Sequence, residues 1–351
     1  MSDVVIFAPS PVLTVTVEEH SAGPDIHVHA GGQGVWQARM LMRLGASVTM
    51  CSVLTGETGG MVRHLLEEDG VTVAGPRREG RGAAYVHDRR SGAREVVAEA
   101  DGDSLGRHEL DELFSTTLRE GADAGLVILS GPQGDGALDS DTYRRLAADL
   151  RRAGARVVVD LAGDRLTAAL SGGVTVLKVS DEELHSDGLL DDASVPALMR
   201  AMRRLRSGGA ETVIVTRAGE PLLLLDGEGF LEVTPPRLEV ADTRGAGDSL
   251  TAGIAAGLAR GETPRDAVTM AAAAGALNVT RHGLGTGDPE AIARLREQVT
   301  TRVIGDQTDT DLAQPDTGRV SPDGLAALAQ PDDQPAQNPP ADGTEPEAAD
   351  R

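Results

Sequence analysis

The stretch from Leu126 to Asp160, LVILSGPQGDGALDSDTYRRLAADLRRAGARVVVD, contains two short apolar runs separated by a helical pattern. Leu126–Ser130 and Arg156–Asp160 are continuous runs of Val, Leu and Ile, which is typical of strands buried on both faces. Between them, Ser140–Ala153 has its apolar residues at helical spacing. A strand, a crossover helix and a second strand of this kind predict a parallel sheet covered by helices.

The same alternation recurs through residues 1–305. Further predicted strands are Val4–Ala8, Val48–Val53, Val174–Lys178 and Thr212–Thr216, and further predicted helices are Gly34–Leu44, Gly59–Glu68 and Val195–Arg206. The predicted fold class is therefore α/β, with a mostly parallel central sheet. From Asp248 onward we expect helices alone.

Two stretches depart from this pattern. Val12–Glu18 and Ala83–Glu99 alternate apolar with polar residues, which predicts half-exposed strands. The second stretch contains Arg89-Arg90-Ser91-Gly92, a predicted hairpin turn. We expect these strands to form a small antiparallel lid outside the main sheet.

The composition is acidic and poor in aromatic residues. The chain has 33 Lys and Arg against 55 Asp and Glu, a net charge of −22. Duplex nucleic acid requires a basic surface and single strands require aromatic platforms, so nucleic acid is excluded as the main partner. The single cysteine, Cys51, cannot form an internal disulfide, and no stretch reaches the roughly 18 apolar residues of a membrane span. We expect a cytoplasmic protein with no membrane partner.

The composition changes at Gly305. Residues 306–351 contain seven prolines and eleven acidic residues against two basic ones. Such a segment buries too little apolar surface to offset the entropy lost on ordering, so it is predicted to be a disordered acidic tail. Removing its net −9 from −22 leaves −13 on residues 1–305, which we expect to form one folded domain.

The strongest chemical signal is Asp242-Thr243-Arg244-Gly245-Ala246-Gly247-Asp248-Ser249, which opens the helical pattern Leu250–Arg260. Gly-Ala-Gly allows a tight turn whose N–H groups converge, and a helix N-terminus adds partial positive charge, so the motif predicts an anion site. A carboxylate at Asp248 would repel a bound phosphate unless it accepts a proton from an attacking hydroxyl. Taken alone, the motif also fits an ordinary acidic cap after a glycine turn.

In its ordered motifs the sequence resembles the ribokinase-like sugar kinases, in the phosphofructokinase-B branch that includes 1-phosphofructokinase and tagatose-6-phosphate kinase. The resemblance covers about residues 3–300. The matching segments are Gly31–Arg39, Ser130-Gly131, Lys178–Leu184, Asp242–Ser249 and Ala272–Gly285.

The resemblance implies a three-layer sandwich and ATP-dependent phosphoryl transfer to a hydroxyl of a sugar or sugar phosphate. Asp248 would be the general base, and the amides of Gly245, Ala246 and Gly247 would stabilise the transferring group. Glu183 would help to hold Mg²⁺ through water. A monovalent cation is a further candidate cofactor, and the lid would pair with that of a second subunit in a homodimer.

The resemblance also implies the lining of the two substrate sites. The acceptor side would be formed by Thr14, Gly31, Gly32, Gln33, Trp36, Arg81, Ser130 and Asp248. The nucleotide side would be formed by Lys178, Ser180, Thr216, Gly219, Arg244, Gly247 and Asn278.

Most departures from the family pattern lie on the acceptor side. Thr14 stands where an Asp usually binds two sugar hydroxyls, and a neutral hydroxyl makes weaker bonds than a carboxylate. Gln33 replaces a Lys, and Trp36 replaces an Asn. Trp36 has two interpretations: a stacking surface for a ring-shaped acceptor, or part of a buried helical stripe with Met40 and Leu44.

Other departures concern charge and the nucleotide side. Ser180 replaces an Asn, and Pro221 changes the loop that begins at Thr216. Arg81 either pairs with an acceptor phosphate or is solvated. Arg244 either adds positive charge toward the phosphates, offsetting the Lys lost at Gln33, or is a surface residue.

Two further features have a chemical interpretation. His27 and His29 would share one face of a strand, but two histidines without a third ligand are weak evidence for zinc; they more readily line the lid hinge. Lys178 is the one Lys among 33 basic residues and follows a predicted strand, where α/β folds bind ligands. We predict that it faces the nucleotide phosphates.

Three alternatives remain open from the sequence. A ribokinase-like protein could bind nucleotide or metabolite without efficient turnover, since Thr14, Gln33, Trp36 and Ser180 all depart from the pattern. A nucleoside kinase would suit the Trp36 surface. A dinucleotide dehydrogenase is poorly supported, because no Gly-x-Gly-x-x-Gly follows the first strand.

Overall fold

The computed structural model describes residues 2–21, 23–132, 138–280, 285 and 287–305. The predicted acidic tail lies outside these ranges. In chain order the elements are β1 (Val4–Phe7), β2 (Val12–Glu18), β3 (Asp25–Gly31), α1 (Gln33–Arg43), β4 (Val48–Cys51), β5 (Leu54–Thr55), α2 (Gly56–Glu68), β6 (Thr72–Ala74), β7 (Arg77–Arg78), β8 (Ala84–Asp88), β9 (Glu95–Ala100), α3 (Arg107–Ala124), β10 (Leu126–Ser130), α4 (Ser140–Arg152), β11 (Arg156–Asp160), α5 (Gly163–Gly172), β12 (Val174–Ser180), α6 (Asp181–Ser186), α7 (Val195–Ser207), β13 (Ala210–Arg217), β14 (Glu220–Asp226), β15 (Gly229–Thr234), α8 (Ala246–Ala259), α9 (Pro264–Asn278), α10 (Pro289–Arg296) and β16 (Thr300–Ile304).

The main sheet has ten strands in the order β16-β15-β14-β13-β12-β11-β10-β1-β4-β6. The seven from β13 to β6 run parallel, as the apolar runs predict. Successive residues of β1 belong to different cores: Val4 and Ile6 pack with α1, α2, α8, α9 and α10, whereas Val5 and Phe7 pack with α3 to α7. Both faces are therefore covered, and the prediction of a three-layer α/β sandwich is confirmed.

The C-terminal part of the sheet differs from the expectation. β14, β15 and β16 add three antiparallel strands beyond β13. The expectation of helices alone after Asp248 is wrong, because Thr300–Ile304 forms the edge strand β16. An edge strand has one neighbour and one exposed side, so its sequence has little apolar signal; Val303 is 69% exposed and Arg302 pairs with Glu232 of β15 at 2.9 Å.

The lid is a separate four-stranded sheet in the order β3-β2-β8-β9. The β8–β9 hairpin closes through a turn in which the N–H of Gly92 donates to the carbonyl of Arg89 at 2.9 Å. Two details differ from the prediction: β3 adds a strand, and β2 pairs with β8 in parallel, so the lid is mixed rather than antiparallel. The connection from β2 to β8 is long enough for parallel pairing, since it includes β3, α1, β4 and α2.

The parallel strands bring several polar residues to one edge of the sheet. Ser130, Asp160 and Lys178 are register neighbours near the carboxyl ends of β10, β11 and β12, and Thr216 follows beside Ser180. Strand order reverses between β1 and β10, and α/β folds bind ligands at such reversals. Every helix within the described ranges is too short or too polar to cross a lipid bilayer.

Candidate active site

The N-terminus of α8 forms the predicted anion-binding turn. Gly245 is its N-cap with φ 73°, a left-handed conformation that favours glycine, and no side chain caps the first turn. Gly247 permits a close approach, because a Cβ there would lie 2.7 Å from Lys178 Nζ. The first-turn N–H groups thus lack a side-chain acceptor and lie beside an ammonium, which suits an anion.

Asp248 lies in the first turn of α8 and lines a cavity of about 870 Å³. Gln37 Nε2 approaches its Oδ1 at 3.5 Å. Burial first, and then repulsion by Asp160, raise the pKa of Asp248 to about 8, although Lys178 acts in the opposite direction. A carboxylate with a raised pKa is a better proton acceptor once ionised, as a general base requires.

Asp160 is the centre of a buried polar network that the sequence did not reveal. Its carboxylate is 2% exposed and accepts hydrogen bonds from Lys178 Nζ at 3.0 Å, Thr251 Oγ1 at 2.8 Å and Gln37 Nε2 at 3.2 Å. Gln37 also accepts a bond of 2.5 Å from Ser130 Oγ. A buried carboxylate is tolerated only when it is satisfied in this way.

Lys178 is buried against the turn, with 8% of its side chain exposed. Burial lowers the pKa of its ammonium, but the charges of Asp160, Glu183 and Asp248 outweigh that effect and raise the pKa above its ordinary value. It is therefore a permanent cation between Asp160 and the Gly247 backbone. Its predicted contact with nucleotide phosphates stays a prediction.

The cavity brings together several of the predicted acceptor residues. Thr14, Gly32, Gln33, Trp36 and Asp248 all line it. Beneath this surface, Gln33 Oε1 accepts a hydrogen bond of 2.8 Å from the N–H of Gly131. Gly31 is required for close packing, since a Cβ there would lie 2.3 Å from Thr14 Oγ1.

Trp36 combines the two interpretations left open by the sequence. It is half-buried and packs against the main core on one side, as the helical stripe with Met40 predicts. On the other side it lines the cavity, with the His29 ring 5.7 Å away and the Arg39 guanidinium 5.2 Å from its ring centroid. The indole is therefore anchored by the core and still accessible to a ligand.

Ser180 and Glu183 form hydrogen bonds with each other. Ser180 is the N-cap of α6 in a capping box: its Oγ accepts from the N–H of Glu183 at 3.1 Å, and its N–H donates to Glu183 Oε2 at 2.7 Å. Glu183 thus uses one carboxylate oxygen for the cap. Thr216 lies one residue before the end of β13, beside Ser180. Gly219 lies in the β13–β14 turn, and both residues are outside the cavity lining.

The arginines near the turn are paired with carboxylates. Arg244 lines the cavity, but both its Nε and Nη2 lie 3.1 Å from oxygens of Asp242, which also pairs with Arg89 at 3.4 Å. Arg81 lies outside the cavity lining, with its side chain 85% exposed and paired with Asp103 at 3.2 Å. Its contact with an acceptor is therefore not supported by its position.

Asn278 lies behind the turn. It is 2% exposed, its Nδ2 donates to the Arg244 carbonyl at 2.6 Å, and its Oδ1 accepts from the N–H of Gly285. The amide thereby fixes the loop that precedes Gly245. Its predicted contact with nucleotide stays a prediction.

Within the described residues, the two lid histidines do not belong to a set of side chains that could hold a metal ion. His27 lies 3.2 Å from Asp25 and lines the cavity with His29. Over the described part of the chain, no group of three or more His, Cys, Asp or Glu side chains could hold a metal ion. Nothing in this geometry favours a zinc site.

Sequence reasoning missed Gln37, Asp160, Thr251, Tyr85 and His87. A signal existed for Asp160, because it ends an apolar strand between the strands that end in Ser130 and Lys178. Tyr85 and His87 occupy alternate positions of the predicted lid strand, so their common face could have been inferred. Thr251 gave no signal among the small residues of α8.

The sheet, the lid and the turn together define a ribokinase-like fold. The chain belongs to the pfkB family of carbohydrate kinases, whose model matches residues 2–291. It is 30% identical over 281 residues to a 1-phosphofructokinase of Vibrio cholerae, covering 79% of this chain and 87% of that protein. It is 28% identical over 257 residues to the ATP-dependent 6-phosphofructokinase isozyme 2 of Escherichia coli, covering 72% and 82% respectively.

Solved structures agree on the fold. Phosphofructokinase-2 of Escherichia coli in complex with potassium superposes with a TM-score of 0.74 at 23% identity, over 85% of this chain and 99% of that one. A ribokinase of Arabidopsis thaliana complexed with ribose and ATP gives a TM-score of 0.65 at 19% identity, with the same coverage. By family, the chain is thus a carbohydrate kinase.

Proposed function

We propose that the protein transfers the γ-phosphoryl group of ATP to a hydroxyl of a sugar or sugar phosphate, with Asp248 as the general base. The acceptor oxygen forms a bond to the γ-phosphorus while the bond from that phosphorus to the β,γ-bridging oxygen breaks. The hydroxyl proton passes to Asp248, and ADP leaves. The Gly245–Gly247 amides stabilise the charge on the transferring group.

One observation supports this assignment above the others: the Asp248 carboxylate lines the cavity in the same helical turn as the uncapped amides. A proton acceptor and an anion-binding turn on consecutive residues are the two groups that phosphoryl transfer needs. Lys178, adjacent to Gly247, adds fixed positive charge on the phosphate side.

The residues present are compatible with Mg²⁺ alongside ATP. Mg²⁺ keeps most of its water and is commonly held by one or two carboxylates together with substrate phosphates. Glu183 has one carboxylate oxygen committed to the capping box, which leaves the other for a water of the ion. The ion would neutralise charge on the phosphates. A monovalent cation is proposed as well, since the related phosphofructokinase-2 was solved with potassium.

The test is ADP release with Mg-ATP and a panel of sugars, sugar phosphates and nucleosides. The panel includes fructose 1-phosphate and fructose 6-phosphate, because the relatives are named phosphofructokinases. Wild type should show acceptor-dependent ADP release, and Asp248→Asn should lose at least about a hundredfold, the usual contribution of a general base. Asp266→Asn, on the distant N-terminus of α9, is the control. Nucleotide binding with no acceptor-dependent release would favour the non-catalytic alternative.

We also propose that the outer face of the lid joins two copies of the chain. Because side chains alternate along strands, the residues opposite to Thr14 and Thr16 form a mostly apolar face. The strand registers place on it Val15, Val17, Ile26, Val28, Ala84, Val86 and Ala98, with Asp88 beside Val17, while Leu13 packs against the main core. Exposed apolar faces of this kind mark protein interfaces.

Light scattering coupled to gel filtration tests this interface. Ile26→Glu, at a position 64% exposed, should convert a dimer to a monomer. Val240→Glu, at a position 63% exposed outside the lid, should leave the mass unchanged. A monomeric wild type at micromolar concentration would contradict the proposal. The cytoplasmic location expected from the sequence stays a prediction.

A further inference from the structure

The inner face of the lid differs sharply in chemistry from its outer face. Cross-strand neighbours share a face, and the registers form two rows directed at the cavity. The first row is His29–Thr14–Tyr85–Glu99, and the second is His27–Thr16–His87. All seven side chains line the same cavity as Asp248.

Rings are concentrated at this cavity. The chain has six Phe, Tyr and Trp residues. Four of them, Phe7, Phe114, Tyr143 and Phe230, pack in the core on one side of the sheet. The remaining two, Trp36 and Tyr85, both line the cavity, where each has a histidine beside it: Trp36 and His29 at 5.7 Å, and Tyr85 and His87 at 5.2 Å.

His87 has an unused hydrogen-bonding atom. It is 4% exposed, its Nε2 lies 3.1 Å from Thr16 Oγ1, and its Nδ1 has no partner. A buried polar atom without a partner is costly, so a ligand atom that hydrogen-bonds to Nδ1 would gain binding free energy there. Burial first, and then Arg94 and Arg89, lower the pKa of His87 to about 4, so the ring is uncharged at neutral pH.

The cavity offers little to an acceptor phosphate. Its arginines Arg39, Arg89 and Arg244 are paired with Asp69, Asp242 and Glu18 on the protein itself. The guanidinium of Arg94 lies 4.6 Å from the ring centroid of Tyr85. Gln33 and Arg81, where the resemblance expects basic contacts to the acceptor, are a neutral amide and an exposed side chain outside the lining. Glu18 and Glu99 add negative charge to the wall.

We propose that the acceptor is a nucleoside, whose uncharged flat base lies between Trp36 and Tyr85 and bonds to His87 Nδ1 while a ribose hydroxyl faces Asp248. This inference rests on the proposed kinase reaction and assigns its acceptor hydroxyl to the ribose of a nucleoside in place of a free sugar or sugar phosphate. Bases stack on aromatic side chains through either face, and an uncharged imidazole can donate or accept a hydrogen bond at the base edge. Trp36 is held by the core in α1 and Tyr85 belongs to the lid, so the base would join the lid to the sandwich.

Trp36 itself provides the binding assay, because it is the one tryptophan of the chain. The protein is titrated with uridine, inosine, ribose and fructose 6-phosphate while excess ADP fills the nucleotide site, and indole emission is recorded. The nucleosides should change the emission in a saturable way at concentrations where ribose and fructose 6-phosphate do not. Calorimetry on the wild type under the same conditions provides a readout that needs no variant.

Two substitutions test the assigned contacts. Tyr85→Leu and His87→Ala should each weaken nucleoside binding by about tenfold, the loss expected for one stacking or buried hydrogen-bonding partner. His64→Ala is the control, since His64 is 65% exposed and pairs with Glu68 on α2. Tighter binding of fructose 6-phosphate than of any nucleoside, or nucleoside binding unaffected by both substitutions, would overturn the proposal.

Turnover separates the two proposals. Nucleoside binding without ADP release above the Asp248→Asn background would reject the kinase reaction and leave the ligand class standing. ADP release stimulated by fructose 6-phosphate alone, without a nucleoside effect on indole emission, would keep the kinase reaction and reject the nucleoside. Release of ADP with uridine or inosine supports both.

Discussion

Replacing Asp248 with Asn is expected to stabilise the protein while it inactivates the enzyme. The native pKa of Asp248 is raised from 3.8 to about 8, by burial and by the nearby Asp160. A carboxyl with a raised native pKa binds its proton more tightly when folded, so folding becomes less favourable as pH rises from 3.8 through about 8. Asn does not ionise in this pH range, so the Asp248→Asn variant does not lose this part of its stability as the pH rises.

The size of the effect follows from linkage. Between the unfolded and native pKa values, one proton more is bound in the native state, so stability changes by about 1.4 kcal/mol per pH unit. The stability of Asp248→Asn relative to wild type should therefore increase by about 3 kcal/mol between pH 5 and pH 7. The slope keeps this size as long as the native pKa stays above the window and the unfolded pKa stays below it.

The assay is urea unfolding followed by circular dichroism at pH 5, 6 and 7 for both proteins. Asp242→Asn is the matched control from the same loop, because its neighbours Arg244 and Arg89 outweigh burial and hold the pKa of Asp242 below its ordinary value. Its stability difference from wild type should be constant over this window. Parallel pH profiles of Asp248→Asn and wild type would refute the assignment of a raised pKa.

Four further outcomes follow from the same geometry. Asp160→Asn removes the charge that repels Asp248, so the acid limb of kcat/KM should move to lower pH; an unmoved limb in the pH–rate profile would contradict the network. Gly247→Ala places a Cβ 2.7 Å from Lys178 Nζ and should lower kcat at least about tenfold, whereas Gly60→Ala, with nothing within 4 Å, should not change kcat. Lys178→Arg should lose activity nearly as far as Lys178→Met, measured by ADP release, because a guanidinium needs more room than the turn leaves. Ala218→Gly should raise stability by up to about 1 kcal/mol in urea unfolding, since Ala218 has φ 45°.

The sequence predicted the parallel sheet because each strand is buried on both faces and therefore has a continuous apolar run, as in Leu126–Ser130. It missed β3 and β16, whose residues are mostly exposed and show no such run. It also missed β14 and β15, although Leu222–Leu225 is a buried apolar run. It located Asp248 and the Gly245–Gly247 turn because the motif is local, with consecutive residues forming one helical turn. Burial, strand order and register decide the rest, and none of these is a local property.

Asp160 shows this limit most clearly. Its partners Gln37, Lys178 and Thr251 are 123, 18 and 91 residues away along the chain. Arg81 shows a related limit: the motif leaves an acceptor contact and a solvated side chain equally open, and in the structure Arg81 is 85% exposed, pairs with Asp103 and lies outside the cavity lining. Arg244 has two interpretations from the sequence, added positive charge or a surface position, and the structure adds that it pairs with Asp242 at 3.1 Å.

The buried pair of Asp160 and Lys178 accounts for the behaviour of the base. A lysine placed beside Asp248 alone would hold its pKa low and make it a poor proton acceptor. Asp160 prevents this in two ways: it accepts a hydrogen bond from the Lys178 ammonium at 3.0 Å, and its own charge repels ionised Asp248. Gln37 and Thr251 donate hydrogen bonds to its other carboxylate oxygen. In the proposed reaction, the positive charge of Lys178 would then act on the phosphate side of Gly247, while Asp248 would retain its proton affinity on the acceptor side.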